Sequence, residues 1–299
     1  MLKHVLPILG YPKVMASNTE ILANFFWRDL LGRFRGSFLG IFWVLIQPIF
    51  MFAIYFFVFG YLFAPRMAPG AGPNVEFALY LFSGIIAFSS FSESTTRSCG
   101  VVLENGNLVK KVRFPCELLP IPNVLVAMIT YLVGAVVFLI VGFSFGMLEV
   151  GPHTFAWPLV ILVHAVMSLG FGLILACLQV LIRDTAHLYA IASQAWFFLS
   201  PVFWFPRMLE EKLGSWSWVL EFNPMYPLVH AHRQALGFTS PNMGLMVHYA
   251  EDASGKPIMG APLESVWYHT GIAAIWAFFF LFIGYSFFTS RKNKFSDLV

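Results

Sequence analysis

Apolar runs dominate this chain. Five stretches of roughly twenty mostly apolar residues, the length a membrane-crossing helix needs, flank one shorter, broken stretch. They fall at Phe38–Phe63, Phe77–Thr95, Pro122–Met147, Leu159–Ile182, Leu188–Phe205 and Val266–Thr289, of which Leu188–Phe205 is the proline-interrupted one. A helix must cover about 30 Å of hydrocarbon, and a soluble domain has no use for so many charge-free runs of that length. The expected fold is all-α: a polytopic membrane protein with six transmembrane helices.

Composition fits that class. Hydrophobic residues make up 59% of the chain and charged residues 11%, the reverse of a solvated surface. The segments between spans are too short for a soluble domain of 100 residues or more. One permease domain is expected over 1–299. Within it, 1–36 is a cytoplasmic interface helix, 37–205 holds spans one to five, 206–265 is a periplasmic hairpin with an extension, and 266–299 is span six with a cytoplasmic tail. Cys99, Cys116 and Cys177 have no paired spacing and suggest neither a disulfide framework nor a metal site. Lys3 is followed by only a short apolar patch, Val5–Leu9, broken by Pro7 and with no small-residue site after it, so a cleavable signal is not expected.

Charge sets the orientation. With the N-terminus in the cytoplasm, 13 Lys and Arg residues fall inside against 5 outside. The positive-inside rule favours that arrangement, and six spans then return the C-terminus to the cytoplasm.

Ser17-Asn-Thr-Glu20 reads as a capping box opening a helix. Glu20, Asn24 and Arg28 then share one face, with Ile21, Leu22, Phe25, Phe26 and Leu30 on the other, as in a helix lying in the membrane interface. Asp29 and Arg33 are spaced to pair along it. A simple anchor and a lever pushed by an intracellular partner both fit. Gly32, Gly36 and Gly40, and likewise Ser168, Gly172 and Ala176, repeat every four residues and suggest close helix packing. Packing within the chain is the better reading for the second set, and a dimer seam the alternative for both.

Between spans two and three, Asn107–Pro115 interleaves Leu108, Val109, Val112 and Phe114 with Lys110, Lys111 and Arg113. Topogenic charge explains this stretch; a docking element or an anionic head-group cradle are the alternatives. Glu93 and Arg97, one turn apart near the end of span two, are expected at the inner interface or facing a polar cavity, since a charge at the bilayer centre is costly. Arg183-Asp184 makes a short inner turn between spans four and five. Ser200–Pro206 breaks the fifth span, and Asn223-Pro-Met-Tyr-Pro227 precedes an amphipathic segment. The expectation is a re-entrant outer helical hairpin between helices five and six, because irregular backbone at membrane depth must be buried or hydrated. An ordinary loop with prolines is the alternative.

The chain has no phosphate-binding G-x-x-x-x-G-K-[ST] loop and no H-E-x-x-H pair. His230 and His232, two residues apart, are expected at an interface rather than on a metal. A membrane-embedded transferase would need a polar catalytic cluster, and Glu93 with Arg97 lacks a nucleophile. A secondary transporter would be expected to carry midplane carboxylates or paired broken helices.

Five segments, in order, resemble the type-2 ABC exporter permeases of the O-antigen and capsular polysaccharide branch. They are Trp27–Phe50, Asn107–Ile121, Leu181–Leu188, Ser200–Pro206 and Asn223–Leu236. The resemblance implies a homodimer on two ATP-binding subunits, with ATP and Mg on those partners and no cofactor in this chain. It implies a lipid-linked glycan substrate in the bacterial inner (cytoplasmic) membrane, contact with membrane lipid, room for periplasmic export components and no nucleic-acid partner. Catalytic residues are not expected. ATPase coupling is expected at Arg28, Asp29, Leu108, Val109, Arg183 and Asp184. Substrate admission at the lipid head group is expected at Arg33, Phe34, Arg35, Lys110, Lys111 and Arg113, and the outer glycan path at Phe203, Trp204, Phe205, Asn223 and Tyr226. A type-2 exporter of a small lipid or drug is the alternative function. The extension at 239–265 has no chemistry readable from sequence.

Overall fold

The computed structural model describes residues 2–62, 75–111, 115–148, 150–204, 212–237, 249–251, 257–262 and 266–298. Two helices, α1 (Leu2–Ser17) and α2 (Thr19–Gly32), precede the first long apolar one, α3 (Trp43–Tyr55). α3 is entered through a 3-10 turn at Gly40–Phe42 and continues as a π-turn over Phe56–Leu62. α4 (Val75–Glu104), the short α5 (Gly106–Lys111), α6 (Pro120–Ser144), α7 (Trp157–Leu181) and α8 (Thr185–Leu199) follow. After a 3-10 segment at Gly214–Phe222 come α9 (Met225–Ala235), α10 (Val266–Arg291) and a terminal turn, α11 (Phe295–Leu298).

Five of these segments are long and apolar enough to cross a membrane: Gly40–Leu62, Val75–Glu104, Cys116–Ser144, Pro152–Leu181 and Val266–Lys294. The fifth predicted span is shorter than expected. α8 has 15 residues and ends at Leu199, with Ser200 extended. At 1.5 Å per residue it covers about 22 Å, less than the ~30 Å hydrocarbon core. The described residues are helical apart from turns and one small antiparallel hairpin in the 239–265 extension, β1 (Tyr249–Glu251) with β2 (Pro257–Pro262).

α4 is the central post. It is buried on almost every side from Val75 to Phe88 and packs against α6 and α7. Its thirty residues span about 45 Å, so it is longer than the apolar layer requires. Serines tolerate this burial by bonding backbone: Ser83 to the Tyr80 carbonyl (2.8 Å), Ser94 to Phe91 (2.8 Å) and Ser98 to Ser94 (2.7 Å). Ser90 instead donates across to the Ala127 carbonyl of α6 at 3.0 Å.

The tightest helix pair is α7 with α10. A side chain on Gly170 would overlap the Phe280–Leu281 backbone, and one on Gly284 would overlap the Gly170 carbonyl. Small residues permit this approach where lipid gives no hydrophobic drive between helices. The four-residue stripe on α7 also packs within the chain: Ser168 and Ala176 are buried, and a Cβ on Gly172 would lie 2.9 Å from Ser98 Oγ. The stripe expected at Gly32, Gly36 and Gly40 does not exist as a helix face. α2 stops at Gly32, and Gly36 and Gly40 have φ of +82° and +53°. They turn the chain between α2 and α3, using backbone space that glycine enters at no steric cost. The expected capping box also does not form. Asn18, not Ser17, precedes α2, and Ser17 Oγ donates back to the Val14 carbonyl of α1 (3.1 Å).

Candidate functional site

At the α1–α2 end of the bundle, four segments share one apolar cluster. Tyr11 of α1, Leu22 of α2, Cys116 and Leu118 after α5, and Phe288 of α10 with Phe295 of α11 are buried together, with Leu108 and Val109 half-buried against them. Glu117 ties the polar side. Its backbone carbonyl accepts from Tyr11 Oη at 2.8 Å, and its Oε1 pairs with Lys292 Nζ at 3.0 Å. Burial pushes the Tyr11 phenol above its ordinary value, and Glu117 adds to the shift. α2 presents the amphipathic face expected, with Glu20, Asn24 and Arg28 exposed and Leu22 and Leu30 buried; Ile21 alone departs, at 40% exposed.

The coupling candidates fall on this end. Arg28 Nε meets Asp29 Oδ1 at 2.9 Å, and Arg28 Nη1 reaches Asn105 Oδ1 at 3.4 Å, joining α2 to the α4–α5 corner. Arg183 and Asp184 are exposed in the α7–α8 turn. Gln179 braces that turn from both sides: its Nε2 donates to the Arg183 carbonyl (2.8 Å) and its Oε1 accepts from the Ala186 amide (2.7 Å).

Arg33 does not pair with Asp29 as the helical spacing predicted, because α2 has ended and the turn swings Arg33 inward. Its Nη1 lies 2.5 Å from Glu93 Oε1 on α4, and Arg97 Nε lies 3.3 Å from the same oxygen. Burial lowers the Arg33 guanidinium from its ordinary value, and Glu93 opposes that shift.

Two cavities meet along this edge of α4, both lined by Ser89, Glu93 and Arg97. The larger, about 880 Å³, opens between α4 and α8; Ser92, Thr96, Ser193 and Gln194 line it, with Phe88, Phe197 and Phe198 at one end. Ser92 Oγ and Ser193 Oγ bond at 2.7 Å, and Thr95 Oγ1 bonds Tyr189 Oη at 2.6 Å, fixing α8 on α4. The smaller, about 440 Å³, lies between α4 and α3 and includes Arg33, Phe34, Gln47 and Pro48.

At the α9 end the fixed point is Arg233. It is 2% exposed and bonds the carbonyls of Pro201 (2.8 Å) and Tyr80 (3.1 Å) and the hydroxyl of Ser83 (3.2 Å). Gly84 leaves the space: a Cβ there would lie 2.6 Å from Arg233 Nη2. Asn223 joins the end of α8 to the start of α9. Its Oδ1 accepts from Trp196 Nε1 (2.8 Å) and the Met225 amide (3.1 Å), and its Nδ2 donates to the Leu199 carbonyl (3.1 Å). His230 and His232 are not surface residues. His232 is buried between Tyr131 Oη (2.6 Å) and His164 Nδ1 (3.0 Å), while His230 stacks on His269 at 4.9 Å.

The bundle of long apolar helices thus carries a polar cleft along α4, and comparison with known proteins gives the family. The profile of the ABC-2 type transporter family matches residues 22–236. The chain belongs to the ABC-2 type transporter family. It is similar to the O-antigen export system permease protein RfbA of Myxococcus xanthus, 26% identical over 279 residues, which cover 93% of this chain and 95% of that protein. The Klebsiella pneumoniae protein of the same name is 24% identical over 206 residues, 69% of this chain and 76% of its own length. The polysialic acid transport protein KpsM of Escherichia coli is 26% identical over 227 residues, 74% of this chain and 83% of its own. The resemblance to the O-antigen and capsule branch read from the motifs is thereby borne out.

Within this ABC-2 chain, the structure separates the residues expected at the lipid head group. Arg33 and Phe34 line the smaller cavity; Arg35 and Lys110 are exposed and line neither cavity. Lys111 closes α5, and Arg113 lies outside the described residues, as does Phe205. The outer-path candidates fall at the junction of α8 and α9. Tyr226 is 6% exposed and packs tilted against the His230 ring, Asn223 serves as a helix brace, and neither lines either cavity. Phe203 packs edge-on to Phe197 at 5.0 Å, and Trp204 Nε1 donates to the Phe198 carbonyl at 3.1 Å. The rings that do line the larger cavity, Phe88, Phe197 and Phe198, were missed because nothing in an apolar run marks which Phe faces a groove. Gln179, Ser193 and Gln194 were legible only as polar residues inside spans, the signal that such residues face protein or water.

Proposed function

We propose that this chain is the transmembrane channel subunit of an ATP-driven exporter moving a lipid-linked polysaccharide, O-antigen- or capsule-like, across the bacterial inner membrane. The observation that carries this reading is the groove between α4 and α8. Its hydroxyl, amide and carboxylate groups stand beside three phenylalanine rings on an otherwise apolar helix bundle. Short polar groups exchange hydrogen bonds with sugar hydroxyls, and rings pack on sugar C–H faces over large areas with few rotatable bonds. The names of the M. xanthus, K. pneumoniae and E. coli relatives support the same substrate class.

The groove is open on one side, so one copy makes half a conduit; a second copy facing it completes the wall. The six-crossing count takes α8 with Ser200–Trp204 as the fifth crossing and 206–265 as a periplasmic hairpin and extension, much of which lies outside the described residues. Both termini are cytoplasmic, following the 13 against 5 distribution of Lys and Arg. α2 then lies at the cytoplasmic interface, and Arg28, Asp29, Leu108, Val109, Arg183 and Asp184 face two separate ATP-binding subunits. ATP and Mg sit on those subunits; this chain carries out no hydrolysis and is a permease.

Deletion of the gene tests the reading. Surface polysaccharide should disappear while lipid-linked glycan accumulates inside the cell. Normal surface polysaccharide contradicts it, and loss of a small lipid alone favours the exporter of small lipids or drugs.

A further inference from the structure

Glu117 is the one buried acidic residue among the described residues, 4% exposed in the 3-10 turn Cys116–Leu118 between α5 and α6. A buried carboxylate is costly unless a cation and further donors compensate it. One cation does so here: Lys292 Nζ, in the turn that follows α10, lies 3.0 Å from Glu117 Oε1. Glu117 Oε2 is buried and has no hydrogen-bond partner among the described residues. Stability alone does not account for such a pair, because neutral side chains of similar size would fill the space without the desolvation cost.

Its position shows what it joins. On one side, Leu108 and Val109 of α5 pack on the apolar cluster around Cys116 and Leu118. On the other, Lys292 stands at the end of α10. A Cβ on Gly284 of α10 would overlap the Gly170 carbonyl of α7, and the Phe287 carbonyl lies 3.9 Å from Cys177 Sγ. α7 then runs directly into the Arg183–Asp184 turn. Tyr11 of α1 closes the third side. Its hydroxyl donates to the Glu117 carbonyl at 2.8 Å, and its ring packs tilted against Tyr285 of α10 with centroids 4.7 Å apart. A continuous packed path therefore runs from α5 through Glu117 and Lys292 to α10, and from α10 through α7 to the second cytoplasmic turn.

We propose that the Glu117–Lys292 pair is a pin that makes the α5–α6 connection and α10 move as one body. The α5 connection and the α7–α8 turn then yield to the ATP-binding subunits together instead of separately. Glu117 and Lys292 are positioning residues that act through the helices they join. The inference rests on the exporter reading and adds to it the residues that carry motion between the two coupling elements. A close-packed interior transmits strain where its parts are tied. Closure of the ATP-binding subunits must then deform the whole bundle, and that load holds hydrolysis back in the resting complex. With the pin broken, α5 yields alone and the load falls.

The test uses the full chain, purified with its co-expressed ATP-binding subunit in phosphatidylcholine nanodiscs, and reads the basal rate of ATP hydrolysis with no glycan present. Glu117→Gln keeps the size and removes the charge, and Lys292 has a side chain 39% exposed, so Lys292→Gln is sterically undemanding. Each should raise the basal rate about fivefold, the low end of ordinary coupling between sites. The double variant should be no faster than either single one, whereas independent effects would multiply to about 25-fold. Lys292→Arg, which keeps the cation, should hydrolyse ATP at the wild-type rate. The melting temperatures of the same complexes separate coupling from folding. Lower melting temperatures with wild-type hydrolysis would leave a structural pair only and overturn the proposal. A double variant whose rate is the product of the two, or Lys292→Arg as fast as Lys292→Gln, also overturns it. A wild-type complex with no ATPase activity contradicts the exporter reading itself, whereas a wild-type rate that the variants leave unchanged contradicts the pin alone.

Discussion

The guanidinium of Arg233 lies 3.5 Å above the ring of Tyr80, 153 residues earlier in the chain. Tyr80 Oη in turn donates to the Trp204 carbonyl at 2.8 Å, and Arg233 holds the carbonyl of Pro201. One cation thus fixes the broken segment after α8 to the start of α4. No carboxylate is within pairing distance of Arg233 among the described residues, so carbonyl dipoles and a ring face balance its charge.

Arg233→Ala should release that segment. The Pro201 and Tyr80 carbonyls would each lose a charged donor in a buried setting, at roughly 1–3 kcal/mol apiece. The purified exporter should melt at a lower temperature, and Arg233→Lys, with fewer donors and no planar fork, should recover only part of the loss. Thermal unfolding of the three proteins in the same detergent checks this; an unchanged melting point for Arg233→Ala refutes the clamp.

The α7–α10 crossing gives a steric prediction. Gly284→Ala drives a methyl into the Gly170 carbonyl, and overpacking of this kind costs about 1–3 kcal/mol or more where backbone cannot yield. Gly271→Ala on the same helix meets nothing within 4 Å and should be silent. Membrane accumulation of the two variants, read by immunoblot, should differ clearly; equal accumulation argues against the close contact.

These features show what the sequence could and could not reveal. The five long apolar helices were legible because hydrocarbon thickness fixes their length, whatever their neighbours. The amphipathic face of α2 was legible for the same local reason. Gly36 and Gly40 were misread because a four-residue spacing is common to a helix face and to two separate turns; only the positive φ distinguishes them. Arg33 was assigned a local partner, Asp29, when its actual partner lies 60 residues away on α4. Asn223 and Tyr226 were read as path residues from the prolines beside them, and the bond of Asn223 to the Leu199 carbonyl, which braces the irregular backbone there, joins segments too far apart in sequence to be read from it.

The turn at Arg183–Asp184 depends on Gln179. Gln179→Ala removes both side-chain bonds that hold it, at about 0.5–1.5 kcal/mol each. Insertion and assembly with the ATP-binding subunit should persist, while export slows several-fold and ATP hydrolysis proceeds less tightly linked to it. Co-purification together with an export assay in cells checks both halves. Wild-type export would show that the brace has no part in coupling.

Orientation can be read directly. A cytoplasmic reporter fused after Gly106 and a periplasmic one after Gly255 should both be active, and swapping them should silence both. Activity of the same reporter at both positions contradicts the six-crossing arrangement.

The central claim is that glycan passes along the groove between α4 and α8. Gln194 lines that groove, and Ile191 is 70% exposed on the same helix and does not line it. Gln194→Trp and Ile191→Trp can therefore be compared at equal membrane levels by the rate at which new polysaccharide reaches the cell surface. Gln194→Trp should stop export while Ile191→Trp leaves it running. Undiminished export by Gln194→Trp would place the path elsewhere.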